Sequence, residues 1–311
     1  MKTRGRTRTT FSTACAAIWA SSRIPPRPRI PARVTTSCPE KSANPCKKFL
    51  MTPAAREPRR PGREQIMDRI PITDYESGQI RDAGAVRHLR KALRLRPGEV
   101  FLGYDGMNEL RLRLSSYEDG CARVEELARR TVSPAADLTI AQCLIKGARW
   151  DAFVEKVTEL GAARILPVIS ERTVSSASRS GDESRLARWH RIARAAAAQS
   201  AGRTPVILDP MPFGAALDRL SAAAHKFIVC FEHGAAPLGR AVPAQARFAH
   251  TALLLGPEGD FTQKEIEAAR AAGFVPAHLG SRILRSETAA ATASALALHA
   301  MGALDAPMPD L

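Results

Sequence analysis

Residues 253–261 read LLLGPEGDF and residues 279–289 read LGSRILRSETA, and these two stretches decide the fold. Each begins in an apolar run typical of a buried strand, passes through a turn that contains glycine, and enters a helical pattern. In parallel α/β sheets, ligands bind beyond the carboxyl ends of the strands, where glycine lets backbone groups approach a flat ligand. The stretches therefore predict a ligand site at that edge of a parallel sheet, unless Gly256, Pro257 and Gly259 serve only to form the turn.

Residues 133–311 show the alternation of strands and helices in which these stretches lie. Leu138 to Ile145 is a strand-like run, the apolar residues from Trp150 to Leu160 recur at helical spacing, and Gly161 suits the residue after a helix end. Strand-like and helical runs then alternate up to a last helix near the C-terminus. This alternation predicts an α/β domain whose parallel sheet is covered on both faces.

Residues 67–132 have a different pattern, which predicts a small, mainly β domain. Strict alternation from Leu110 to Leu114 is typical of a half-buried strand, and Asp105-Gly106 before it is a strong hairpin-turn signal. We expect a short helix over Val86–Arg96 with one apolar and one basic face. The basic face, which either contacts phosphates or is an ordinary solvated surface, consists of Arg87, Arg90, Lys91 and Arg94.

The net charge is concentrated in the first 66 residues. The chain has 46 Lys and Arg against 31 Asp and Glu, a formal charge of +15, which suggests a polyanionic partner such as nucleic acid. Residues 1–66 hold fifteen of the basic residues and three of the acidic ones, so they carry +12 and leave +3 for the remainder. We expect this extension, rich in Pro and Arg, to be disordered. It resembles an organelle transit peptide, but a basic RNA-binding arm, or a gene start placed too early with translation beginning at Met51 or Met67, also fits.

Composition excludes several classes of protein. Apolar residues make up 45% of the chain, which is enough to build cores and excludes a wholly disordered protein. No window approaches 18 consecutive apolar residues, so we expect no membrane span. The six cysteines have no metal-ligand spacing, and they predict reduced, mostly buried thiols in a cytosolic protein rather than a disulfide framework or a metal site.

Several strings of residues, in order along the chain, carry a resemblance to one family. GPEGDFTQKEI followed by LGSRILRSETA closely resembles the signature of the RsmE family of SPOUT-class RNA methyltransferases. HLRKALRLRPGE with YDG is similar to the PUA-like N-terminal domain of that family, and KGARWDAFVEKVTELGAARILPVISERT is similar to its first βαβ segment. The resemblance covers about residues 68–304 and leaves the basic extension outside.

The resemblance implies an enzyme that uses S-adenosyl-L-methionine to methylate N3 of a uridine in 16S rRNA, acting on assembled small ribosomal subunits. It also implies a PUA-like β-barrel over residues 67–132 and a SPOUT domain with a deep trefoil knot over 133–311. The protein is expected to be a cytoplasmic homodimer without a metal, or organellar if the extension is a transit peptide. The implied cofactor-binding residues are Leu255, Gly256, Gly259, Leu279, Gly280, Ile283, Leu284 and Arg285.

The proposed chemistry makes two of the matched residues candidates for catalysis. The imide N–H of uracil is only weakly acidic and must lose its proton before the nitrogen attacks a methyl group. A cation near a uracil oxygen would stabilise the developing anion, and Arg285 is the candidate. Glu287 is the candidate proton acceptor, although it could instead pair structurally with Arg282 or Arg285.

Further basic residues match family positions, and two positions depart from the family. Lys146 and Arg172 are RNA-binding candidates by this match. Asp260 stands where many relatives have glycine, and Ala198 stands where they usually have Glu. Two alternatives remain open: another SPOUT-type methyltransferase that modifies ribose 2′-OH groups or a different base, and a catalytically silent RNA-binding protein.

Overall fold

The structure, a computed structural model, describes residues 69–173, 183–232, 234–244 and 246–305. These residues belong to one compact unit, Pro61–Leu311. The expectations for residues 1–66 lie outside the described residues. Within the described ranges, no helix is both long and apolar enough to cross a membrane.

The first part of this unit is a six-stranded sheet. Its strands, in the order β1-β4-β5-β6-β3-β2, pair antiparallel except for the parallel pair β1 and β4. The predicted alternation is confirmed, because Leu110, Leu112 and Leu114 of one strand all point into the apolar core of this sheet. The strands are β1 Arg69–Pro71, β2 Tyr75–Glu76, β3 Gln79–Ile80, β4 Val100–Tyr104, β5 Asn108–Glu118 and β6 Cys121–Thr131.

The helix expected over Val86–Arg96 is shorter and begins earlier. Helix α1 spans Ala83–Arg87 and continues as a π-helical turn over His88–Ala92. It begins at Asp82, whose carboxylate accepts hydrogen bonds from the first free N–H groups of the helix. The expected C-terminal bound is wrong, because Arg94 has a φ of 53° and lies outside the helix. The four basic side chains are nevertheless exposed, as expected: Arg87, Arg90, Lys91 and Arg94. Of the three residues expected on the apolar face, Val86 and Leu89 are buried, but Leu93 is exposed because it lies after the last helical turn.

The second part is an eight-stranded sheet in which every pairing is parallel, as the sequence predicts. Its order is β10-β8-β7-β13-β11-β14-β12, with β9 also paired to β8. The two strands that lead into the signature stretches, β13 and β14, lie on either side of β11. The strands are β7 Leu138–Cys143, β8 Arg164–Ile169, β9 Val206–Ile207, β10 Met211–Pro212, β11 His225–Val229, β12 Ala236–Pro237, β13 Thr251–Leu255 and β14 Val275–His278.

Helices cover both faces of this sheet, which confirms the predicted α/β architecture. One apolar core joins the sheet to α2, α3, α5 and α7, and a second core on the opposite face joins it to α4 and α6. Alternate residues of a strand enter opposite cores, as Leu253 and Leu254 of β13 do. The helices are α2 Gly147–Leu160, α3 Glu183–Gln199, α4 Phe213–Arg219, α5 Leu238–Ala241, α6 Gln263–Ala271 and α7 Ser286–Ala300.

The two sheets are joined where β1 and β4 meet the end of α3. The Tyr104 hydroxyl donates to Gly106 O at 2.6 Å and accepts from Thr204 N at 2.6 Å. Arg69 stacks on the Tyr104 ring with its Cζ 4.3 Å from the ring centroid, and its Nη1 donates to Ala197 O at 3.3 Å. These contacts join the six-stranded sheet to the end of α3 and to the turn that follows it.

Candidate functional site

The carboxyl ends of β11, β13 and β14 and the start of α7 enclose a cavity of about 370 Å³. Six of the eight predicted cofactor-binding residues line it: Leu255, Gly256, Leu279, Ile283, Leu284 and Arg285. Sequence reasoning missed the part of the wall that comes from β11 and the residue after it, Val229, Cys230 and Phe231. That strand carries no glycine turn, and only the order of the sheet reveals that it lies between the two signature stretches.

The other two predicted residues, Gly259 and Gly280, are not part of this lining, but both shape the loops around it. Gly280 has a φ of +106°, a conformation that L side chains rarely adopt. A Cβ at Gly259 would lie 3.4 Å from Cβ of Arg172, an ordinary van der Waals distance. Backbone geometry therefore accounts for Gly280, whereas Gly259 packs beside the Arg172 stem without requiring glycine.

The loop after β13, residues 256–261, is held from several sides. Gln142 Nε2 donates to Gly256 O at 2.8 Å, and Phe261 is buried with its ring 5.8 Å from that of Phe213. Asp260 has a φ of 58°, a left-handed conformation that glycine adopts more easily than aspartate, and its Oδ1 accepts from Phe261 N at 2.8 Å. The Asp260 side chain thus stabilises a turn whose backbone conformation favours glycine.

Helix α6 starts directly after this loop with a capping box. Thr262 Oγ1 accepts from Glu265 N, and the Glu265 carboxylate accepts from Thr262 N at 2.9 Å. The same carboxylate also accepts from Glu171 N at 2.8 Å, which ties the loop to the end of β8. The position of the loop is therefore fixed by the neighbouring strand as well as by its own helix.

Arg172, an RNA-binding candidate in the sequence, lies across the same loop. Its guanidinium donates to Gly259 O at 2.8 Å and to Phe261 O at 3.4 Å. These two carbonyls belong to the loop after β13, which contributes Gly256 and Asp260 to the cavity wall, and the Arg172 side chain remains exposed to solvent. Arg172 is thus placed to orient the loop.

Arg285 and Glu287 stand at the start of α7. Arg285 is the residue before the first helical turn, its side chain is exposed, and it lines the cavity. Glu287 is half-buried in that turn, and its Oε2 is buried without a hydrogen-bond partner in the described part of the chain. Neither Arg282 nor Arg285 forms an ion pair with Glu287 among the described residues. Arg285 is therefore a cation open to a ligand in the cavity, whereas Glu287 lies behind the cavity wall with a buried carboxylate oxygen that lacks a partner.

An ion pair closes the opposite wall of the cavity. Arg149 Nη1 lies 3.3 Å from Glu258 Oε1, and the same oxygen is 3.4 Å from Lys146 N. Arg149 is in the first turn of α2 and Glu258 is in the loop after β13, so this pair connects the two elements. No spacing in the sequence indicates the pair, because 109 residues separate its members.

Cys230 is the one cysteine among the described residues that line the cavity, and its thiol is unreactive. Burial raises the pKa of its thiol to about 12, so the thiol stays neutral near neutral pH and is a poor nucleophile. Across the ranges that the structure covers, no group of three or more His, Cys, Asp and Glu side chains could hold a metal ion. The described site therefore offers charge and shape for catalysis rather than an activated thiolate.

The predicted RNA-binding residues occupy two regions. Arg87, Arg90, Lys91 and Arg94 lie on or just after α1, where Arg90 Cζ is 5.4 Å from the ring centroid of Tyr117. Lys146 precedes α2, and Arg172 follows β8, both at the carboxyl edge of the parallel sheet. Only the second group lies next to the cavity walls.

Comparisons with known proteins agree on one family. Residues 132–298 match the family described as RNA methyltransferase domain. A protein of Synechocystis named ribosomal RNA small subunit methyltransferase E is 32% identical, with 68% of this chain and 69% of that protein covered. A protein of the same name from Mycobacterium tuberculosis is also 32% identical, with 70% and 83% covered.

Solved structures give the same result. The crystal structure of a ribosomal RNA small subunit methyltransferase E from Neisseria gonorrhoeae, bound to S-adenosyl methionine, is 32% identical with a TM-score of 0.64. The match covers 76% of this chain and 98% of that one. A methyltransferase from Legionella pneumophila, in complex with the same cofactor, is 26% identical with a TM-score of 0.63 over 76% of this chain. The chain therefore belongs to the family of ribosomal RNA small subunit methyltransferase E, a family of RNA methyltransferases.

Proposed function

We propose that this enzyme transfers a methyl group from S-adenosyl-L-methionine to N3 of a uridine in 16S rRNA, acting on assembled small subunits. The observation that carries the proposal is the cavity at the carboxyl edge of the parallel sheet, formed by both signature stretches, with the exposed Arg285 in its wall. The names of the relatives support ribosomal RNA of the small subunit as the substrate. The Neisseria structure supports the cofactor.

The residues of the cavity fit this cofactor. Apolar side chains and a glycine turn suit a flat adenine ring, because backbone can approach the ring and apolar side chains can cover its faces. A Cβ at Gly256 would lie 3.1 Å from Asp260 Oδ1 and 3.3 Å from Phe261 Cε2, so a side chain in this turn would force both neighbours to shift. When bound, S-adenosyl-L-methionine supplies a methyl group activated by its sulfonium charge. The residues proposed to hold it are Leu255, Gly256, Leu279, Ile283, Leu284 and Arg285, with Gly259 and Gly280 shaping the loops.

Arg285 and Glu287 have different roles at the uracil: Arg285 stabilises negative charge, and Glu287 accepts a proton. Deprotonation of N3 spreads negative charge over the two flanking carbonyl oxygens, and the Arg285 guanidinium stabilises that charge if it donates to one of them. Arg285 has no ion-pair partner among the described residues, so its donors are available to the base. Glu287 takes the N3 proton, a role for which its unpartnered Oε2 is chemically suited. The uridine must be unstacked or flipped to reach these groups.

The architecture around the site is part of the same proposal. We infer a SPOUT domain over residues 133–311 with a trefoil knot, a rare exception to the rule that chains do not thread loops. Support for it comes from the strand order and from α7, which packs against α5 in the segment between β11 and β13. Residues 67–132 are proposed to form a PUA-like barrel that binds RNA through Arg87, Arg90, Lys91 and Arg94.

We further propose a cytoplasmic homodimer whose sites lie at the subunit interface. Large apolar side chains at the cavity support this, because Ile283 is 89% exposed and Phe231 is 59% exposed in the single chain. A partner subunit that covers them would also shield the site from water. Residues 1–66 are a disordered extension in this proposal, and an organellar location holds if they act as a transit peptide.

Methyl transfer to purified ribosomal particles tests the proposal. The enzyme is incubated with S-adenosyl-L-methionine labelled in the methyl group and with small subunits that lack this methylation. We expect label in 16S rRNA, and more of it from assembled subunits than from naked rRNA. Binding of RNA without any incorporation would favour the catalytically silent protein, and label at a ribose or another base would favour a different methyltransferase.

A further inference from the structure

Gln142 is a polar residue in the apolar interior of the parallel sheet. Its side chain is 0% exposed, and in the strand register it lies opposite Leu255, the last residue of β13. The two-residue repeat of a strand places it on the same face of β7 as Leu138 and Ile140, which enter the core that joins the sheet to α7. An amide buried there has lost its hydrogen bonds to water, so it needs partners within the protein.

The hydrogen bonds of Gln142 determine how its amide group is oriented. Nε2 donates to Cys143 O at 3.0 Å and to Gly256 O at 2.8 Å. Both partners are carbonyl oxygens, which only accept, so the NH₂ group and not the amide oxygen points at them. Oε1 is buried without a hydrogen-bond partner among the described residues. The fold therefore buries an amide that is only partly satisfied, at a cost that an apolar side chain would not carry.

The bond from Gln142 to Gly256 acts on the part of the loop that forms the cavity wall. Gly256 has no side chain that could fix its backbone, and glycine has the widest conformational freedom of any residue. Pro257 follows it, also lines the cavity, and has no N–H, so the peptide group between the two can form hydrogen bonds only through Gly256 O. Gln142 donates to that oxygen and is not itself part of the lining. This bond therefore holds the cavity wall from the side of the sheet.

We propose that Gln142 is a positioning residue for S-adenosyl-L-methionine, because it fixes the Gly256–Pro257 peptide group in the conformation that the cofactor needs before it binds. The inference rests on the proposed function in one respect, the place of the cofactor in this cavity. A wall that is already ordered in the free enzyme loses less freedom on binding, so the hydrogen bond raises the cofactor affinity without any contact between Gln142 and the cofactor. An unsatisfied buried oxygen is the kind of local cost that proteins retain at functional sites.

Replacing Gln142 with glutamate makes the proposed hydrogen bond depend on pH. The protonated carboxyl group in Gln142→Glu has nearly the shape of the amide, and its O–H can donate to Gly256 O. The ionised carboxylate can only accept, and it would face the two carbonyl oxygens. Burial and these carbonyls raise the pKa of the new carboxyl group above its usual value. The hydrogen bond should therefore be present at low pH and be lost as the pH rises through that raised pKa.

Titration calorimetry of the full-length enzyme measures this effect. The probe is S-adenosyl-L-homocysteine, which lacks the reactive sulfonium, and the ratio of Kd in Gln142→Glu to Kd in the wild type removes any effect of pH on the ligand itself. We expect this ratio to be near one at the acidic end of a titration across the neutral range. At the alkaline end it should reach on the order of tenfold, since a hydrogen bond is replaced by a carboxylate against two acceptors. A ratio that does not change with pH would overturn the proposal.

Gln142→Met separates positioning of the wall from a general effect on the fold. Methionine is unbranched and of similar size but donates no hydrogen bond, so the affinity for S-adenosyl-L-homocysteine should fall by about fivefold. Thr139→Val is the matched control, because Thr139 is the other buried polar side chain of β7 and bonds to His250 at the amino end of that strand. This control should bind like the wild type, although the lost hydrogen bond lowers its Tm.

The two substitutions in β7 have different expected outcomes because only one of them lies behind the cavity. If Gln142 acted on stability alone, Gln142→Met and Thr139→Val would bind the probe equally well, and that result would refute the inference. A failure of the proposed function looks different, because the wild type would then place no methyl group on N3 of a uridine while the binding ratios still followed the expected pattern. If Gln142→Met does not fold, the pH dependence of Gln142→Glu still decides.

Discussion

Adding one methyl group at Gly256 should weaken cofactor binding. A Cβ there would lie 3.1 Å from Asp260 Oδ1, 3.3 Å from Phe261 Cε2 and 3.4 Å from Asp260 Cα. The neighbours cannot move freely, because Phe261 is buried against Phe213 and Asp260 already holds a left-handed backbone conformation. Overpacking of this kind costs about 1–3 kcal/mol. If the loop relaxes in the free enzyme and must regain its shape to bind the cofactor, that cost corresponds to a loss of roughly fivefold to 150-fold in cofactor affinity.

Titration calorimetry with S-adenosyl-L-methionine measures this effect in Gly256→Ala, and Gly256→Val should show a larger loss. Gly214→Ala is the matched control, since a Cβ at Gly214 in α4 meets nothing within 4 Å. That control should bind the cofactor like the wild type and be slightly more stable, because alanine favours a helix over glycine. Wild-type affinity in both Gly256 variants would show that the loop after β13 does not form the cofactor pocket.

Three further predictions concern the Arg285, Arg172 and His250 side chains. Arg285→Ala should fold normally, since the exposed side chain caps nothing, but methyl transfer should fall by on the order of 10²-fold; an unchanged turnover would remove Arg285 from the mechanism. Arg172→Ala should weaken cofactor binding several-fold, because two hydrogen bonds to the loop carbonyls are lost, and calorimetry would contradict this if Kd were unchanged. His250 Nε2 and Thr139 Oγ1 share a hydrogen bond of 2.9 Å, and burial lowers the pKa of His250 below its usual value of 6.5. As the pH falls, the unfolded state therefore binds a proton at this histidine before the folded state does, which favours unfolding. The Tm of the wild type should therefore drop more steeply from pH 7 to 5 than that of His250→Gln, and parallel curves would refute this.

Features that depend on residues close together in the sequence could be predicted. The alternation of Leu110, Leu112 and Leu114 gave the half-buried strand, and the glycine turns after Leu255 and Leu279 gave the edge of the sheet where the cavity lies. These features are local, since a strand repeats every two residues and a turn needs only a few residue types. They were enough to predict the α/β class and the two stretches that supply most of the cavity lining.

Features that depend on contacts between residues far apart in the sequence could not be predicted. Val229 and Phe231 line the cavity because β11 lies between β13 and β14, and no local sequence pattern encodes this order of strands. The ion pair of Arg149 with Glu258 joins residues far apart in the chain. The bounds of α1 were wrong because the Asp82 cap and the turn at Arg94 compete with the helical period, which alone predicts a longer helix.

Nucleoside analysis of the methylated rRNA tests the central claim most directly. Small subunits that lack the methylation are treated with enzyme and S-adenosyl-L-methionine, the 16S rRNA is digested, and the nucleosides are separated and identified by mass spectrometry. We predict a single new product, uridine methylated at N3, formed by the wild type and formed on the order of 10²-fold more slowly by Arg285→Ala. Methylation on a ribose oxygen or another base, or no methylated nucleoside at all, would contradict the account.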